Sequence, residues 1–255
     1  MTNTVNKIAL VTGGSRGLGK DMAVQLAKKG FDVILTYQSK KEFAQEVVNE
    51  IQALGQKAKA IQLDVADATT FDAFVANLAT TLKNDFDAQT LAAVINNAGV
   101  GIHVAFAETS IAQFDSMVNI HLKGPFFVTQ KVLPLLQDGA SIVNISSGLA
   151  RFSYDGYAAY AVMKAAIESL SRYQALELGA RKIRVNTVAP GAIATDFGGG
   201  AVRDNLDLNN RIASSTALGR VGQPDDIGSV VAFLCSDESK WINAQRIEVA
   251  GGVHI

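Results

Sequence analysis

Short apolar runs alternate along the chain with longer stretches in which apolar residues recur at helical spacing. The short runs are rich in β-branched residues and bounded by Gly, Asn, Asp or Pro, which is typical of buried strands. The predicted strands lie at 8–11, 33–37, 58–63, 92–96, 141–146, 184–188 and 246–249. The predicted helices lie at 17–29, 40–54, 67–83, 110–137, 157–178 and 224–236.

This alternation predicts an α/β fold with a doubly wound parallel sheet and helices on both faces. Right-handed crossovers bring the carboxyl ends of the strands to one edge, where open α/β sheets bind their ligands. No linker, charge block or repeat divides the chain, so we expect residues 1–255 to form one domain. The long irregular segment at 191–219, which contains three consecutive glycines, is predicted to be a substrate lid.

Composition narrows the class of protein. The 255 residues include 23 Lys and Arg against 24 Asp and Glu, which gives a net charge of −1 and no sign of a nucleic-acid partner. Cys235 is the only cysteine, so we expect no intrachain disulfide and a small buried thiol. No apolar run approaches the ~18 residues of a membrane span, and the start MTNTVNKIALVTGG lacks a signal-peptide core. We therefore expect a cytoplasmic protein without a membrane partner.

A glycine-rich segment, TGGSRGLG at 12–19, follows the first predicted strand and opens into a helix. Glycines there allow the backbone to approach a pyrophosphate, whose charge is favoured at a helix N-terminus. The spacing Gly-x-x-x-Gly-x-Gly differs from the standard Gly-x-Gly-x-x-Gly fingerprint of dinucleotide sites. Taken alone, the segment is also compatible with a plain glycine-rich turn.

The end of the second strand indicates which dinucleotide would bind. An NAD site places an acid at the carboxyl end of that strand, about 20 residues after the glycines. Asp32 has this spacing but begins the strand, whereas the carboxyl end reads Tyr-Gln-Ser at 37–39. Arg16 in the glycine segment can pair with a 2′-phosphate, which a carboxylate would repel. We therefore favour NADP(H) over NAD(H), and expect the lysines at 40–41 to be a solvated helix start.

Tyr160 and Lys164 are four residues apart at the start of a predicted helix and therefore share one face. A positive charge at about 4 Å, at an effective dielectric constant of about 20, favours the phenolate by about 4 kcal/mol. This corresponds to a fall of about three units in the tyrosine pKa before desolvation is counted, which would suit general acid–base catalysis. The alternative is a core aromatic residue followed by a solvated lysine.

Other polar residues also follow predicted strands. Ser146 and Ser147 end the strand at 141–146, where a hydroxyl can orient a substrate carbonyl. The sequence Asn-Asn-Ala-Gly at 96–99 ends another strand, and Asn119 lies among apolar residues of a helix, where its amide needs a partner. A serine that simply ends a strand and begins a loop is the alternative at 146–147.

Together these features resemble the short-chain dehydrogenase/reductase family over essentially the whole chain. The motifs that carry the resemblance are TGxxxGxG at 12–19, Asp64-Val65, Asn-Asn-Ala-Gly at 96–99, Asn119, the spacing of 13 from Ser147 to Tyr160, Tyr-x-x-x-Lys at 160–164 and Pro190-Gly191. Where many members of the family have Asp, this chain has Ala250, a position without a catalytic role. The resemblance implies a Rossmann-like, seven-stranded sheet.

The resemblance also implies a catalytic tetrad of Asn119, Ser147, Tyr160 and Lys164. Tyr160 would exchange a proton with the substrate oxygen, Lys164 would lower the tyrosine pKa and hold the nicotinamide ribose, and Ser147 would position the carbonyl. Asn119 would support a water that links Lys164 to solvent. The family spacing selects Ser147 over its neighbour at 146, and Tyr160 over Tyr157.

The cofactor contacts implied by the resemblance include the adenine, the ribose, the pyrophosphate and the nicotinamide carboxamide. The residues concerned are Gly13, Ser15, Arg16, Gly17, Leu18, Gly19, Tyr37, Gln38, Ser39, Asp64, Val65, Asn97, Gly99, Tyr160, Lys164, Pro190, Gly191, Ile193 and Thr195. No metal is expected, since the histidines at 103, 121 and 254 lack ligand spacing and are interpreted as structural or exposed. Trp241 is expected to pack against the fold.

The prediction is an NADP-dependent oxidoreductase that interconverts a ketone or aldehyde and an alcohol, acting as an NADPH-dependent reductase. Its candidate substrates include 3-oxoacyl thioesters. A catalytically silent, dinucleotide-sensing regulatory protein on the same fold is the alternative, because fold alone does not fix function. The resemblance further implies a homotetramer built on the helices at 110–137 and 157–178 and on the C-terminal region.

Overall fold

A seven-stranded parallel sheet forms the centre of the computed structural model, which describes residues 7–255. Its strands are β1 Ile8–Val11, β2 Asp32–Tyr37, β3 Ala58–Gln62, β4 Leu91–Asn96, β5 Leu136–Ile145, β6 Arg184–Pro190 and β7 Arg246–Val249. The strands are arranged in the order β3-β2-β1-β4-β5-β6-β7. From β1 the chain first adds strands on one side and then, from β4, on the other, and sheets of this kind bind ligands at the point between β1 and β4. The predicted fold is confirmed, and the first six residues of the predicted domain lie outside the described residues.

Helices cover both faces of the sheet. Their bounds are α1 Gly17–Lys28, α2 Lys41–Ala53, α3 Phe71–Phe86, α4 Ile111–Val118, α5 Gly124–Val132, α6 Ala158–Glu177, α7 Ala201–Asp204, α8 Leu206–Ser214 and α9 Pro224–Cys235. Alternate residues of β1 enter the two cores: Ala9 and Val11 pack with α1, α2 and α9, whereas Ile8 and Leu10 pack with α3, α5 and α6. A strand buried on both sides needs apolar residues at every position, which explains the continuous apolar runs.

The predicted helix at 110–137 was wrong as a single element. A π-helical turn at Asn119–Lys123 separates α4 from α5, and a 3-10 turn at Leu133–Leu135 ends the segment, where Pro134 has no N–H to donate. Strand β5 then begins at Leu136, five residues before the predicted start at 141, because Leu136 pairs with Leu91 of β4. Pairing with a neighbouring strand outweighs the weak local signal of a polar stretch.

Three other expectations concern single segments. The 191–219 segment, predicted to be irregular, contains α7 and α8 after a 3-10 turn at Phe197–Gly200. Trp241 does not pack as expected: it is 97% exposed, close to the edge strand β7. Cys235 is buried as expected, and burial raises the pKa of its thiol to about 12. Within residues 7–255, no helix is both long and apolar enough to cross a membrane.

Candidate functional site

The segments that follow β1 and β4 are joined by hydrogen bonds at the carboxyl edge of the sheet. The Thr12 hydroxyl oxygen accepts from the backbone N–H of Asn97 at 3.0 Å and of Ala98 at 3.1 Å. The Asn97 side-chain amide donates to the Thr12 carbonyl at 2.9 Å and to the Gly13 carbonyl at 3.2 Å. Asn97 therefore holds the glycine segment at the point where the strand order reverses.

The glycine segment leaves the start of α1 open to an anion. Arg16 is the N-cap residue but makes no side-chain cap, and the first turn of α1 contains no acidic residue. The first N–H groups of a helix have no partner within the helix, so here they can receive a phosphate. A Cβ atom at position 19 would lie 2.2 Å from the Gly13 carbonyl oxygen, so only glycine allows this close turn. These features fit the pyrophosphate of a dinucleotide.

The expected adenosine contacts gather beyond β2 and β3. Tyr37 ends β2 and is half-buried, and the exposed Gln38 donates its side-chain amide to Asp64 at 3.0 Å. Asp32 lies at the opposite end of β2, is buried, and accepts from the backbone N–H of Lys57 at 2.7 Å. Asp32 is therefore structural, and no carboxylate occupies the end of β2 at 37–39. Val65 lies next to the start of α5, since its carbonyl oxygen would be 2.6 Å from a Cβ at Gly124.

The segment after β6 reaches across to the glycine segment. The backbone N–H of Gly191, which follows Pro190, donates to the carbonyl of Val249 at 3.0 Å, and Ile193 forms a parallel bridge with Gly222. Further along, the side chain of Thr195 is buried and faces Gly17.

Asp196 and Arg16 form an ion pair of 2.7 Å between these two segments. The side chains are 65% exposed for Arg16 and 37% exposed for Asp196, so solvent weakens their attraction. Arg16 can therefore exchange this carboxylate for a phosphate at small cost. The lysines at 40–41 are exposed at the start of α2, as expected.

Tyr160 and Lys164 lie on α6, the helix that the spacing predicted, and both are buried, which the spacing did not predict. The Lys164 ammonium donates to the carbonyl of Ile145, the last residue of β5, at 2.8 Å and lies 5.4 Å from the centre of the Tyr160 ring. Ser147, two residues beyond that strand, accepts from the backbone N–H of Leu149 at 3.2 Å. The end of β5 and the first turns of α6 therefore bring a hydroxyl, a phenol and an amine into one site.

The two candidate serines have different surroundings. The hydroxyl of Ser146 is buried, 3.0 Å from the Lys164 carbonyl and 2.7 Å from a carboxylate oxygen of Glu168. Ser147 is half-buried, and its side chain acts to lower the pKa of Tyr160. Ser146 thus ties β5 to α6, and Ser147 is the serine that interacts with the phenol.

Burial is the largest influence on the pKa values of Tyr160 and Lys164. Desolvation raises the pKa of the Tyr160 phenol, and it outweighs the opposing effect of Ser147. Desolvation also lowers the pKa of Lys164 to about 7, so this amine loses much of its charge near neutral pH. The fall in the tyrosine pKa was expected before desolvation was counted, and in this structure desolvation reverses its direction.

Two residues that the sequence did not single out contact Tyr160. The ring of His121 meets the Tyr160 ring edge-on, with 5.1 Å between centroids, and the ring of Phe197 lies 6.0 Å away. Asn119 is half-buried at the start of the π-helical turn, and its side chain forms none of the hydrogen bonds found within residues 7–255. Tyr157, the other candidate tyrosine, contacts His103 instead.

The chain is similar to known reductases over nearly its whole length. A family model described as enoyl-(acyl carrier protein) reductase matches residues 13–254. The chain is 37% identical to the 3-oxoacyl-[acyl-carrier-protein] reductase FabG of Staphylococcus aureus, over 98% of this chain and 99% of that one. Two solved ketoreductases are similar throughout. The reductase LugOII superposes with a TM-score of 0.92 and is 36% identical, and the match covers 96% of each chain. The ketoreductase LanV, solved with bound NADP, also has a TM-score of 0.92 and is 34% identical, and the match covers 96% of this chain and 95% of that chain. The chain belongs to the short-chain dehydrogenase/reductase family.

Proposed function

We propose that this protein is an NADPH-dependent carbonyl reductase. The observation that carries the proposal is the burial of Tyr160 and Lys164 beside Ser147, at the same sheet edge as an uncapped, glycine-lined helix start. A protein that only senses a dinucleotide has no need for a buried phenol and amine in one site. The names of its relatives support the proposal: FabG is a 3-oxoacyl thioester reductase, and LanV was solved with NADP.

The cofactor contacts follow from the open helix start and the nearby polar groups. The N–H groups at 17–19 and the side chain of Ser15 would hold the pyrophosphate, and Gln38 with Asp64 would lie near the adenosine. Arg16 would pair with the 2′-phosphate, for which Ser39 is a further hydroxyl donor. When bound, the nicotinamide supplies a hydride to the carbonyl carbon of the substrate.

The chemical step needs one hydrogen-bond donor and one proton donor at the substrate oxygen. Ser147 holds the carbonyl in place through its hydroxyl, and Tyr160 donates the proton as charge develops on that oxygen. The raised pKa of Tyr160 keeps the phenol protonated near neutral pH, which is the form that reduction requires. Lys164, held by the Ile145 carbonyl, stabilises the phenolate that remains. The water-supporting role expected of Asn119 stays a prediction.

The 191–219 segment would act as a lid over this site. The Phe197 ring lies 6.0 Å from the Tyr160 ring, between centroids, and is tilted by 56° to it. The three glycines that follow, at 198–200, all have positive φ values, between 60° and 80°. Such backbone angles cost glycine little, so the segment can bend just beyond the residue that covers the phenol. The ion pair of Asp196 with Arg16 would hold the lid close to the cofactor.

The expected homotetramer is supported by exposed apolar side chains. Phe126 and Phe127 on α5, Leu176 on α6 and Trp241 near β7 are 36% to 97% exposed. Surfaces of this kind are typical of protein interfaces. Sedimentation should detect a tetramer in solution, and a strictly monomeric protein would contradict this part of the proposal. The cytoplasmic location stays a prediction.

The proposed activity is tested by following the loss of NADPH absorbance with purified protein. The substrates should include a 3-oxoacyl thioester, a polycyclic aromatic ketone and simple aldehydes. Y160F should bind NADPH as tightly as the wild type while losing turnover. If the wild type binds NADPH but reduces none of these carbonyls, and Y160F leaves its biological effect unchanged, the silent regulatory alternative is favoured instead.

A further inference from the structure

His121 is held tightly between the loop after β4 and the start of α6. Its side chain is almost fully buried, with 2% exposure, and its Nε2 lies 2.7 Å from the carbonyl oxygen of Val100. Gly99 makes room for the ring, since a Cβ there would lie 2.7 Å from Cε1 and 3.2 Å from Nδ1. On its other side the imidazole meets the Tyr160 ring nearly at right angles, with an interplanar angle of 87°. The ring therefore has little freedom to turn.

The contact with Val100 defines the tautomer of the imidazole. A carbonyl oxygen can only accept, so Nε2 carries the proton and donates it. Nδ1 is then an acceptor, and it is buried without a hydrogen-bond partner among residues 7–255. Buried acceptors are nearly always paired. The unpaired Nδ1 of His121, next to Tyr160, indicates that this nitrogen accepts a hydrogen bond at some stage of the reaction.

Lys164 has donors to match this acceptor. An ammonium carries three N–H groups, and only one hydrogen bond of Lys164, to the Ile145 carbonyl, is formed among the described residues. Burial, together with the charge of Lys164, lowers the pKa of His121 to about 3. The imidazole therefore stays neutral at the pH values at which a reductase works, and its lone pair stays available.

The titratable groups around His121 come from few elements. From α6 the facing groups are Tyr160 and Lys164, and the loop at 97–101 contributes no titratable side chain. On its own turn the only other charged residue is Lys123, which is exposed. Within this described part of the chain, the Tyr160 hydroxyl and the Lys164 ammonium are therefore the titratable groups facing His121 that can donate a hydrogen bond, and of the two only Lys164 carries a charge when protonated.

We propose that His121 is a positioning residue for the Tyr160–Lys164 pair, in the place that the family resemblance gave to Asn119. The edge of the imidazole fixes the plane of the Tyr160 ring, and Nδ1, which has no hydrogen-bond partner among residues 7–255 in this structure, becomes an acceptor for the Lys164 ammonium during the reaction. This contact stabilises the charged form of the lysine, which in turn stabilises the tyrosine phenolate. The proposal rests on the proposed reductase function and names a further residue of that same site.

The position of Asn119 supports this assignment. Residues two apart on a helical turn point away from each other, so Asn119 and His121 cannot both face Tyr160. The ring contact shows that His121 is the one that does. The π-helical turn contains both residues, and turns of this kind are frequent at functional sites.

The variants H121L, H121N and N119A separate the two assignments. H121L removes the acceptor at similar volume, so kcat should fall about 100-fold with little change in the KM for NADPH, as for a misplaced catalytic group. The alkaline limb of the kcat profile should move to lower pH, because Lys164 loses a stabilising acceptor. H121N restores an acceptor and should recover most of kcat, whereas N119A should lose less than H121L. The control H103L, beside Tyr157, should leave the pH profile in place.

A measurement without turnover keeps this proposal separate from the reductase function. Nitrogen NMR of the three histidines should show one imidazole, absent in H121L, that stays neutral with a protonated Nε2 down to about pH 5. In K164M the Nδ1 resonance of this ring should shift. A His121 that titrates near its ordinary pKa, or an H121L variant with wild-type kcat and pH profile, would overturn the proposal. A wild type without any turnover, combined with the expected NMR result, would reject the reductase function alone.

Discussion

The phosphate-binding end and the chemical end of the site differ in how far their polar groups are buried. At the phosphate end the groups are exposed or belong to the backbone: Arg16 is 65% exposed, and the start of α1 offers N–H groups. At the chemical end Tyr160, Lys164 and His121 are 2% to 7% exposed, and burial shifts the pKa of each. Exposed charges are screened and weak, while buried groups change their ionisation.

This difference indicates what each end can do. The phosphate end can release and rebind a charged ligand at small cost, because its ion pair with Asp196 is exposed. The chemical end holds its residues in fixed protonation states and positions. Changes at the chemical end should therefore alter turnover and pH dependence, whereas changes at the phosphate end should alter cofactor affinity.

The largest effect is expected from Y160F, which removes the proton donor of the chemical end. Turnover should fall by about 10²–10⁴-fold, the usual contribution of a positioned general acid. The affinity for NADPH should change little, as measured by fluorescence titration. Y157F is the matched control, since this neighbouring tyrosine has Ala161 four residues later and should remain active. If Y157F lost turnover while Y160F kept it, Tyr157 and not Tyr160 would be the proton donor.

The next largest effect is expected from G19A at the phosphate end. The new Cβ would lie 2.2 Å from the Gly13 carbonyl oxygen and 2.4 Å from the Asn97 amide nitrogen, so the loop must shift. We expect a loss of about 1–3 kcal/mol in the free energy of unfolding, together with weak NADPH binding. Urea denaturation and titration measure the two effects. The control is G179A, where a Cβ meets nothing within 4 Å; equal losses in both variants would contradict the account.

The stability of the wild type should depend on pH through His121. Its pKa is about 3 in the folded protein against an ordinary 6.5, so the unfolded chain takes up this proton first as the pH falls. Stability should therefore decrease from pH 6.5 toward 3, with a contribution of about 1.4 kcal/mol per pH unit. H121N should show a shallower decrease in denaturation experiments. Parallel curves for wild type and H121N would show that this histidine is not held neutral.

Lys164 should give a second pH window, on the alkaline side, in which stability again rises with pH. Its pKa is about 7 when folded against an ordinary 10.5, so the unfolded chain binds more protons between these values. Stability should therefore rise from pH 7 toward 10.5 through this group. The free energy of unfolding of K164M, measured over the same range, should rise less than that of the wild type.

The smallest effect is expected from R16A. Losing an exposed charge contact to the 2′-phosphate should weaken NADPH binding about 10-fold, which corresponds to about 1.4 kcal/mol, and should leave NADH binding nearly unchanged. R203A is a control, because this exposed arginine pairs with its neighbour Asp204. If R16A lowers the affinity for NADPH and for NADH equally, Arg16 does not contact the 2′-phosphate.

The sequence predicted the sheet well because buried parallel strands need continuous apolar runs. It also predicted the sheet edge that carries Ser147, Tyr160 and Lys164. It failed where distant contacts decide. The early start of β5 depends on pairing with β4. The sequence also did not indicate that Trp241 is 97% exposed.

The role of His121 was also beyond the sequence. A histidine in a helical segment gives no local sign of burial, and its contact with Tyr160 depends on how the π-helical turn packs against α6. The direction of the Tyr160 pKa shift likewise needed the structure, because burial of the phenol raises the pKa more than the hydrogen bond with Ser147 lowers it. The spacing shows that Tyr160 and Lys164 are neighbours, but it does not show how far their site is buried from solvent.

The central claim is hydride transfer from NADPH to a carbonyl carbon. Its most direct test is a competition in which NADPH, deuterated at the transferable position of the nicotinamide, is mixed with equal unlabelled NADH and a substrate that the protein reduces. Mass spectrometry of the alcohol should show one deuterium on the carbinol carbon in most of the product. Product that is mostly unlabelled would contradict the NADPH preference, and the absence of product with every carbonyl tested would contradict the reductase function.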